Sequence, residues 1–338
     1  APEIIYPHLH PIRPHQLCQV DIVPHYLTGG QPVACYNALD VVSRYPAGQA
    51  YDRQGSQEAA EFCVHVWQTI GIAAYTQVDN QDCFSGGHTH PYVLGKLVRL
   101  ALMVGTELIF SPVRHPESNG FVERFHQEYD RHVWEGTYLR DVPAVRQQGN
   151  GFFARYRQSR HHVALHEQTP QEVHEATPPH RLRAGFTIPA KRLPLHEGRV
   201  HFIRRVQADG TISVLNVSWA VPKADPLKGV WATLEFTACG ATLAIYDAAP
   251  DAAERICLAI YPFPLAEEVL SHQSQVDAQQ TEQAAPVPDT CTAELTPPPV
   301  AARTNLGIGL AEQLFSAALR FLLAGHARPQ AERCIDGP

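Results

Sequence analysis

Three acidic residues that are far apart in the chain occupy positions suited to metal-dependent chemistry. Asp21 interrupts the apolar stretch "LCQVDIV", where an uncompensated carboxylate would cost several kcal/mol of desolvation. Asp79 lies near the end of "AAYTQVDN", and Glu123 follows the turn-rich segment "HPESNG". Grouped carboxylates are hard oxygen ligands, so an Asp-Asp-Glu cluster suits Mg²⁺ or Mn²⁺.

Two such ions can activate an attacking oxygen and stabilise the leaving oxygen of a phosphodiester. Each acid by itself is weak support for this chemistry. A strand aspartate often only accepts hydrogen bonds, and a glutamate in the first turn of a helix often only interacts with the helix dipole. Glu128 and Asp130 are rivals for the third carboxylate, but they fall on another face or deeper in the same helix.

The elements that position these acids can be predicted from hydrophobic patterning. Apolar and β-branched runs predict strands, and spacings of three and four predict helices, in the order β-β-β-α-β-α-β-α. The predicted strands are 17–23, 32–45 (one or two strands), 47–53, 73–80 and 107–112, and the predicted helices are 56–71 (with Ser56 as N-cap), 91–105 and a long helix within 111–134. This order favours an α/β fold with a mixed sheet covered by helices.

The third acid is predicted to be held by the helix that carries it. Val122, Phe125, Tyr129 and Val133 follow the three-and-four spacing of a buried helix face. We expect that face to pack on the sheet and so to fix the direction of Glu123.

Four segments together resemble the catalytic core of retroviral-integrase-like insertion-sequence transposases, the Asp-Asp-Glu recombinases. They are "QVDIV" (19–23), "NALDVVSRYPAGQA" (37–50), "VDN" (78–80) and "HPESNGFVERFHQEY" (115–129). The resemblance continues through "RYRQSRHHVALHEQTPQEV" (155–173). The chain departs from the family pattern at Gln81, Arg157 and His161, and 43 residues separate Asp79 from Glu123.

The resemblance implies a ribonuclease-H-like mixed five-stranded sheet, with Asp21, Asp79 and Glu123 as the metal-binding catalytic triad. It implies two Mg²⁺ (or Mn²⁺) ions, DNA as substrate (element ends and target) and a homo-oligomer on DNA. It also implies a separate helix-turn-helix protein, since the N-terminal region with which such transposases find their ends is not in this sequence.

The predicted domain order is a linker (1–16), the integrase-type core (17–135), a helical and basic connector (136–195), a small all-β barrel (196–250) and a tail (251–338). The barrel resembles the SH3-like domain of some of these transposases. The tail is predicted to be acidic and largely disordered, with a helix at 309–325.

Positive charge is concentrated in one part of a chain with a net charge of −7. Residues 140–205 hold 12 Lys/Arg against 5 Asp/Glu, and such an excess favours contacts with phosphate. The residues predicted to bind DNA are Arg114, His115, Asn119, Arg124, Arg157, Arg160, Arg204 and Arg205.

Other classes of protein are disfavoured. No apolar run approaches the roughly 18–20 residues of a membrane span, and the eight scattered cysteines indicate a reduced compartment. A zinc site from His8, His10, His15 and Cys18 matches no standard spacing. We therefore expect a cytoplasmic, nucleoid-associated bacterial protein, and the absence of an initiator Met leads us to expect an N-terminally truncated fragment.

The sequence favours a DNA strand transferase of the transposase and integrase type. Two alternatives stay open: a catalytically impaired scaffold or DNA-binding derivative, and a hydrolytic nuclease of the same fold. All three acids are present, which favours catalysis, and the basic connector and predicted barrel favour strand transfer over simple hydrolysis.

Overall fold

The computed structural model describes residues 4–87, 89–113 and 115–271. Arg114, the predicted helix 309–325 and the tail beyond residue 271 lie outside the described residues.

Five strands form the mixed sheet that the sequence predicted. They are β1 (Leu17–Tyr26), β2 (Pro32–Asp40), β3 (Pro46–Tyr51), β4 (Tyr75–Val78) and β5 (Glu107–Phe110). Their order is β5-β4-β1-β2-β3; β1, β2 and β3 form an antiparallel meander, and β4 and β5 run parallel to β1. The predicted ribonuclease-H-like sheet is therefore confirmed.

The helices are α1 (Ser56–Thr69), α2 (Asp82–Ser85), α3 (Lys96–Val104), α4 (Gly120–Tyr129), α5 (Val142–Ser159) and α6 (Pro170–Glu175). A 3-10 turn (Pro116–Asn119) precedes α4 and a π-helical turn (Asp130–Trp134) follows it. The helix predicted at 91–105 begins only at Lys96, because Gly95 is an extended N-cap. The predicted cap at Ser56 is also displaced by one residue, to Gly55.

The two faces of the sheet are covered by different helices. In β1, Cys18, Val20 and Ile22 belong to the core that contains α1 and α3 residues. Because side chains alternate along a strand, Gln19 and Asp21 point to the opposite face. That face is packed by α4 and α5 through a second core, which contains Val122, Phe125, Tyr129 and Val133 as predicted.

Eight further strands follow the helices: β6 (Leu195–His196), β7 (Gly198–Arg205), β8 (Thr211–Val214), β9 (Val217–Ala220), β10 (Gly229–Thr237), β11 (Gly240–Tyr246), β12 (Cys257–Phe263) and β13 (Val269–Leu270). β8 pairs with β9, and β6 pairs with β13.

The C-terminal strands join the sheet of the core. β7 pairs with β5 in parallel, and β10, β11 and β12 follow, which gives one sheet of nine strands. The physical reason is the edge of the core, because an unpaired β5 would expose its backbone N–H and C=O groups. Phe110 and Phe202 stack across this junction with ring centroids 5.1 Å apart.

The first part of the predicted tail, residues 251–271, contains two strands. β12 completes the nine-stranded sheet, and β13 pairs with β6. The alternating pattern of "CLAIYPF" is that of a strand with one buried face, which composition alone had obscured.

None of the helices in the described part of the chain is long and apolar enough to cross a membrane.

Candidate active site

The first two acids are brought together by strand register. The tripeptide Gln-Val-Asp occurs twice in the sheet, as residues 19–21 within β1 and as residues 77–79 at the C-terminal end of β4. Gln19 lies opposite Gln77 in the parallel β1–β4 pair. Two residues further along, the same register puts Asp21 beside Asp79 on the same face of the sheet.

Glu123 reaches the same region from helix α4. It lies in the first turn of α4, where the positive end of the helix dipole favours an anion. The buried face of α4, with Val122 and Phe125, anchors the helix on the sheet face that carries Asp21. The structure therefore brings the three predicted acids to one end of the sheet.

The electrostatics of Asp21 report on this proximity. The pKa of Asp21 is raised to about 7, mainly by burial and also by the negative charges of Asp79 and Glu123, while a hydrogen bond from the Ile22 backbone acts in the opposite direction. Burial also raises the pKa of Asp79, against a hydrogen bond from the Gln81 backbone N–H to Oδ1 (3.0 Å). The ionised cluster is therefore disfavoured unless positive charge is supplied.

The donor chemistry of this cluster fits a divalent cation. All three groups are carboxylates, and their mutual repulsion is what a cation would relieve. Within the described residues, only His15, Asp40 and His174 form a group of three ligand side chains with atoms within 4.8 Å of one another.

A buried network of hydrogen bonds lies next to the three acids. The sequence analysis did not predict it. The side-chain amides of Gln19 and Gln77 both donate to the Ser118 carbonyl, at 3.1 and 3.0 Å. Gln19 also accepts from the backbone N–H of Val122 (3.3 Å). These bonds tie β1 and β4 to the turn that starts α4, so they link the two aspartates to Glu123. The repeated Gln-Val-Asp was the available signal.

His126 is a second residue that was missed. It lies one turn after Glu123 on α4, is buried, and places Nδ1 at 3.6 Å from Oδ2 of Asp21. Burial lowers the pKa of His126 to about 4, so the ring is neutral at neutral pH. It therefore shields Asp21 without supplying a compensating charge. Its spacing of three from Glu123 was the signal that could have identified it.

The rival acids are already paired with basic side chains. Glu128 accepts from Arg160 at 3.0 Å and also lies near Arg131 and His132. Asp130 lies 3.0 Å from Nε2 of His25. Both acids therefore have structural partners away from Asp21.

Three of the residues predicted to bind DNA line one cavity of about 770 Å³ next to Asp79. They are His115, Arg204 and Arg205, and Asn80 lines the same cavity. Arg205 is exposed, whereas Arg204 is bonded to protein oxygens, and burial lowers its pKa to about 10.

The other predicted DNA contacts are dispersed, and most have structural partners. Asn119 is buried and accepts a hydrogen bond from Ser111 Oγ (3.0 Å). Arg157 donates to the Pro46 carbonyl and lies over the Tyr45 ring, and Arg160 pairs with Glu128. Arg124 is exposed, next to a different cavity of about 410 Å³.

The His15, Asp40 and His174 group is held by protein hydrogen bonds. Nδ1 of His174 lies 2.9 Å from Ser43 Oγ, and Nε2 lies 2.7 Å from the Ile70 carbonyl oxygen. Asp40 accepts from the His15 backbone (2.8 Å) and from Ser43. Asp40 thus has a structural role.

Comparison with known proteins agrees with the topology. Residues 104–170 match the family model described as "Integrase core domain". This segment runs from the end of α3 to the start of α6; it includes Glu123 but neither Asp21 nor Asp79.

Solved structures similar to this chain include the HTLV-2 integrase catalytic core domain in complex with magnesium, with 14% identity, TM-score 0.40, and 49% of this chain and 100% of that chain covered. A chain of the simian T-cell lymphotropic virus intasome in complex with the PP2A regulatory subunit B56 gamma is 14% identical, with TM-score 0.43 and coverage of 79% and 86%. The BIV integrase catalytic core is 16% identical, with TM-score 0.36 and coverage of 47% and 94%. The resemblance inferred from the sequence is confirmed at the level of the fold and of the matched segment: residues 104–170 match an integrase core domain, and the strand order is that of a ribonuclease-H-like sheet.

Proposed function

We propose that the protein is a metal-dependent polynucleotidyl transferase that cleaves and joins DNA strands, as transposases and integrases do. The observation that carries this proposal is the register of Gln19 opposite Gln77, which puts Asp21 beside Asp79. The upward pKa shift of Asp21, to which the charges of Asp79 and Glu123 contribute, supports the same grouping.

In this proposal, Asp21, Asp79 and Glu123 hold two Mg²⁺ or Mn²⁺ ions. When bound, the ions would supply Lewis-acid activation of the attacking oxygen and stabilisation of the leaving oxygen. The protein's own part is positional: the strands fix the aspartates, and the packed face of α4 fixes Glu123. Neutral His126 lies against Asp21, with Nδ1 3.6 Å from Oδ2.

We further propose that the DNA strand passes through the cavity beside Asp79. Arg205 is exposed there, and His115 lies at the same wall, with Nδ1 3.1 Å from Ser118 Oγ. An exposed arginine such as Arg205 would bind phosphates without reading sequence. Arg124, on the surface next to Glu123, is a second phosphate contact in this proposal. Assembly as a homo-oligomer on DNA, a separate helix-turn-helix partner and a cytoplasmic, nucleoid-associated location stay predictions.

The test uses oligonucleotides from inverted repeats in the DNA that flanks the gene. We expect Mg²⁺- or Mn²⁺-dependent nicking and joining by the wild type. Asp21→Asn, Asp79→Asn and Glu123→Gln should each lower the rate by at least about 100-fold, since removal of one metal or oxyanion stabilising group commonly costs that much.

Glu128→Gln is the matched control, because it removes an acid from the same helix that pairs with Arg160 instead of facing Asp21. It should keep near wild-type activity. An Asp79→Asn variant with full activity would sink the triad assignment.

The products distinguish the alternative functions. Cleavage without any joined product would favour a hydrolytic nuclease. DNA binding without cleavage in either metal would favour a scaffold derivative.

A further inference from the structure

Arg204 reaches from the C-terminal strands into the loop that carries Asp79. It lies on β7, and its Nη2 donates to the side-chain oxygen of Asn80 at 2.8 Å. Its Nε donates to the Ser213 carbonyl (3.0 Å). Nη1 donates to the carbonyls of Ser111 (3.2 Å) and Ile203 (2.9 Å). The guanidinium group therefore joins β7 and β8 to the ends of β4 and β5.

These bonds leave Arg204 little capacity for phosphate. A guanidinium has five N–H donors, and four are used here, which leaves a single N–H on Nη2. All four acceptors are neutral oxygens: three are backbone carbonyls and one belongs to a side-chain amide. A guanidinium group whose donors are already bonded to protein oxygens is better suited to holding a loop in place than to binding a phosphate.

Asn80 relays this constraint. Its Nδ2 donates to the Ser111 carbonyl at 2.5 Å, and that carbonyl also accepts from Arg204. The backbone N–H of Ser111 donates to the Val78 carbonyl, and its hydroxyl donates to Asn119, the N-cap of α4. One connected network therefore runs from β7 through the residue next to Asp79 to the helix that carries Glu123.

We propose that Arg204 is a positioning residue of the metal site, so that the C-terminal strands complete the active site instead of serving only as a DNA-binding module. Arg204 holds Asn80, and Asn80 holds the peptide that carries Asp79. This inference rests on the proposed function, since it assigns Asp79 to the metal. Partners that orient metal ligands typically change metal affinity by about 10–100-fold when removed.

The experiment measures Mn²⁺ affinity of the full chain by the electron paramagnetic resonance signal of free Mn²⁺. Arg204→Gln should weaken binding by at least about 10-fold. Arg204→Lys retains the charge but not the fork, and should recover part of that loss. Arg205→Gln is the matched control, because it removes the adjacent, exposed arginine of the same strand. The Mn²⁺ affinity of Arg205→Gln should stay within about two-fold of the wild-type value, because Arg205 is exposed and lies outside the network.

Coupling to Asn80 separates positioning from general destabilisation. Asn80→Ala should weaken Mn²⁺ binding as Arg204→Gln does, and the double variant should be no weaker than the weaker single variant, because both break one network. Amide hydrogen exchange of peptides covering residues 79–87 should accelerate in Arg204→Gln, while exchange in α1 stays unchanged. Additive losses, or Mn²⁺ affinity and loop exchange equal to those of Arg205→Gln, would overturn the inference.

Failure of the proposed function can be told apart from failure of this inference. If the wild type binds no Mn²⁺, the metal assignment of Asp79 fails, and the inference that Arg204 positions a metal ligand is overturned with it. If the wild type binds Mn²⁺ and Arg204→Gln has no effect, only the role of Arg204 is rejected.

Discussion

At the residue scale, the burial of His174 makes the free energy of unfolding depend on pH. It has no exposed surface, stacks on Tyr45 with ring centroids 4.2 Å apart, and bonds Ser43 and the Ile70 carbonyl. The pKa of His174 is lowered to about 4, mainly by burial and to a smaller extent by the nearby His15 and Arg181, although the charge of Asp40 and the hydrogen bond to the Ile70 carbonyl act in the opposite direction. The ring therefore stays neutral while it ties α6 to the end of β2.

The sign of the resulting pH dependence follows from comparison with the unfolded chain, where the pKa is about 6.5. Between about pH 6.5 and pH 4 the unfolded state binds the proton and the folded state does not, so the free energy of unfolding falls as the pH falls. His174→Gln should flatten this slope by up to one proton, about 1.4 kcal/mol per pH unit.

Urea unfolding of the two proteins from pH 7 to pH 4 measures this effect. The same slope in His174→Gln and in wild type would contradict the assignment.

At the element scale, the close packing of α5 against the sheet depends on Gly48 of β3. A Cβ at this position would overlap the ring of Phe153 on α5 and lie 2.6 Å from the side-chain oxygen of Asn37. Because Asn37 is opposite Asp21 in the β1–β2 pair, the close approach lies next to the candidate site.

We expect Gly48→Ala to lower the free energy of unfolding by about 1–3 kcal/mol through overpacking, and Phe153→Leu to restore part of the loss in the double variant. Gly29→Ala is the matched control, since an added Cβ there meets no atom within 4 Å. Guanidinium unfolding curves give the comparison. Equal effects at the two glycines would contradict the packing argument.

The elements also show which parts of the structure were accessible from sequence. The strands and helices of the core were predictable because each has one apolar face with a regular period. The placement of the three acids on these elements was predictable because the acids interrupt or begin them. The parallel join of β5 with β7 was not, because pairing between strands about ninety residues apart leaves no local pattern. For the same reason the sequence assigned Arg204 to DNA, whereas its hydrogen bonds lie within the protein.

At the scale of the whole molecule, the C-terminal segment is bound to the core by an ion pair whose arginine is buried and whose carboxylate is partly exposed. Arg99 of α3 is only 4% exposed, and its guanidinium is bound by both oxygens of Glu267, with Nη1 2.8 Å from Oε2. Arg192 donates to the same carboxylate at 3.0 Å, and the adjacent β13 pairs with β6. The predicted tail therefore contains two parts with opposite expected effects: residues 251–271 are structural, and residues 272–338 carry 4 Lys/Arg against 7 Asp/Glu.

Two truncations separate these parts. Deletion of 272–338 keeps Glu267, so we expect unchanged stability and tighter DNA binding at low salt, because the removed acidic segment competes with phosphate for basic residues. Deletion of 266–338 also removes Glu267 and β13, and it should lower the free energy of unfolding by about 3–5 kcal/mol, since Arg99 is left buried without its partner. Glu267→Gln in the full chain is the control for charge alone and should reproduce much of that loss.

Denaturant unfolding and DNA binding at two salt concentrations measure both effects. Equal stability of the two truncations would refute the structural role of Glu267, and DNA affinity that is unchanged by removal of 272–338 at every salt concentration would refute competition by the tail.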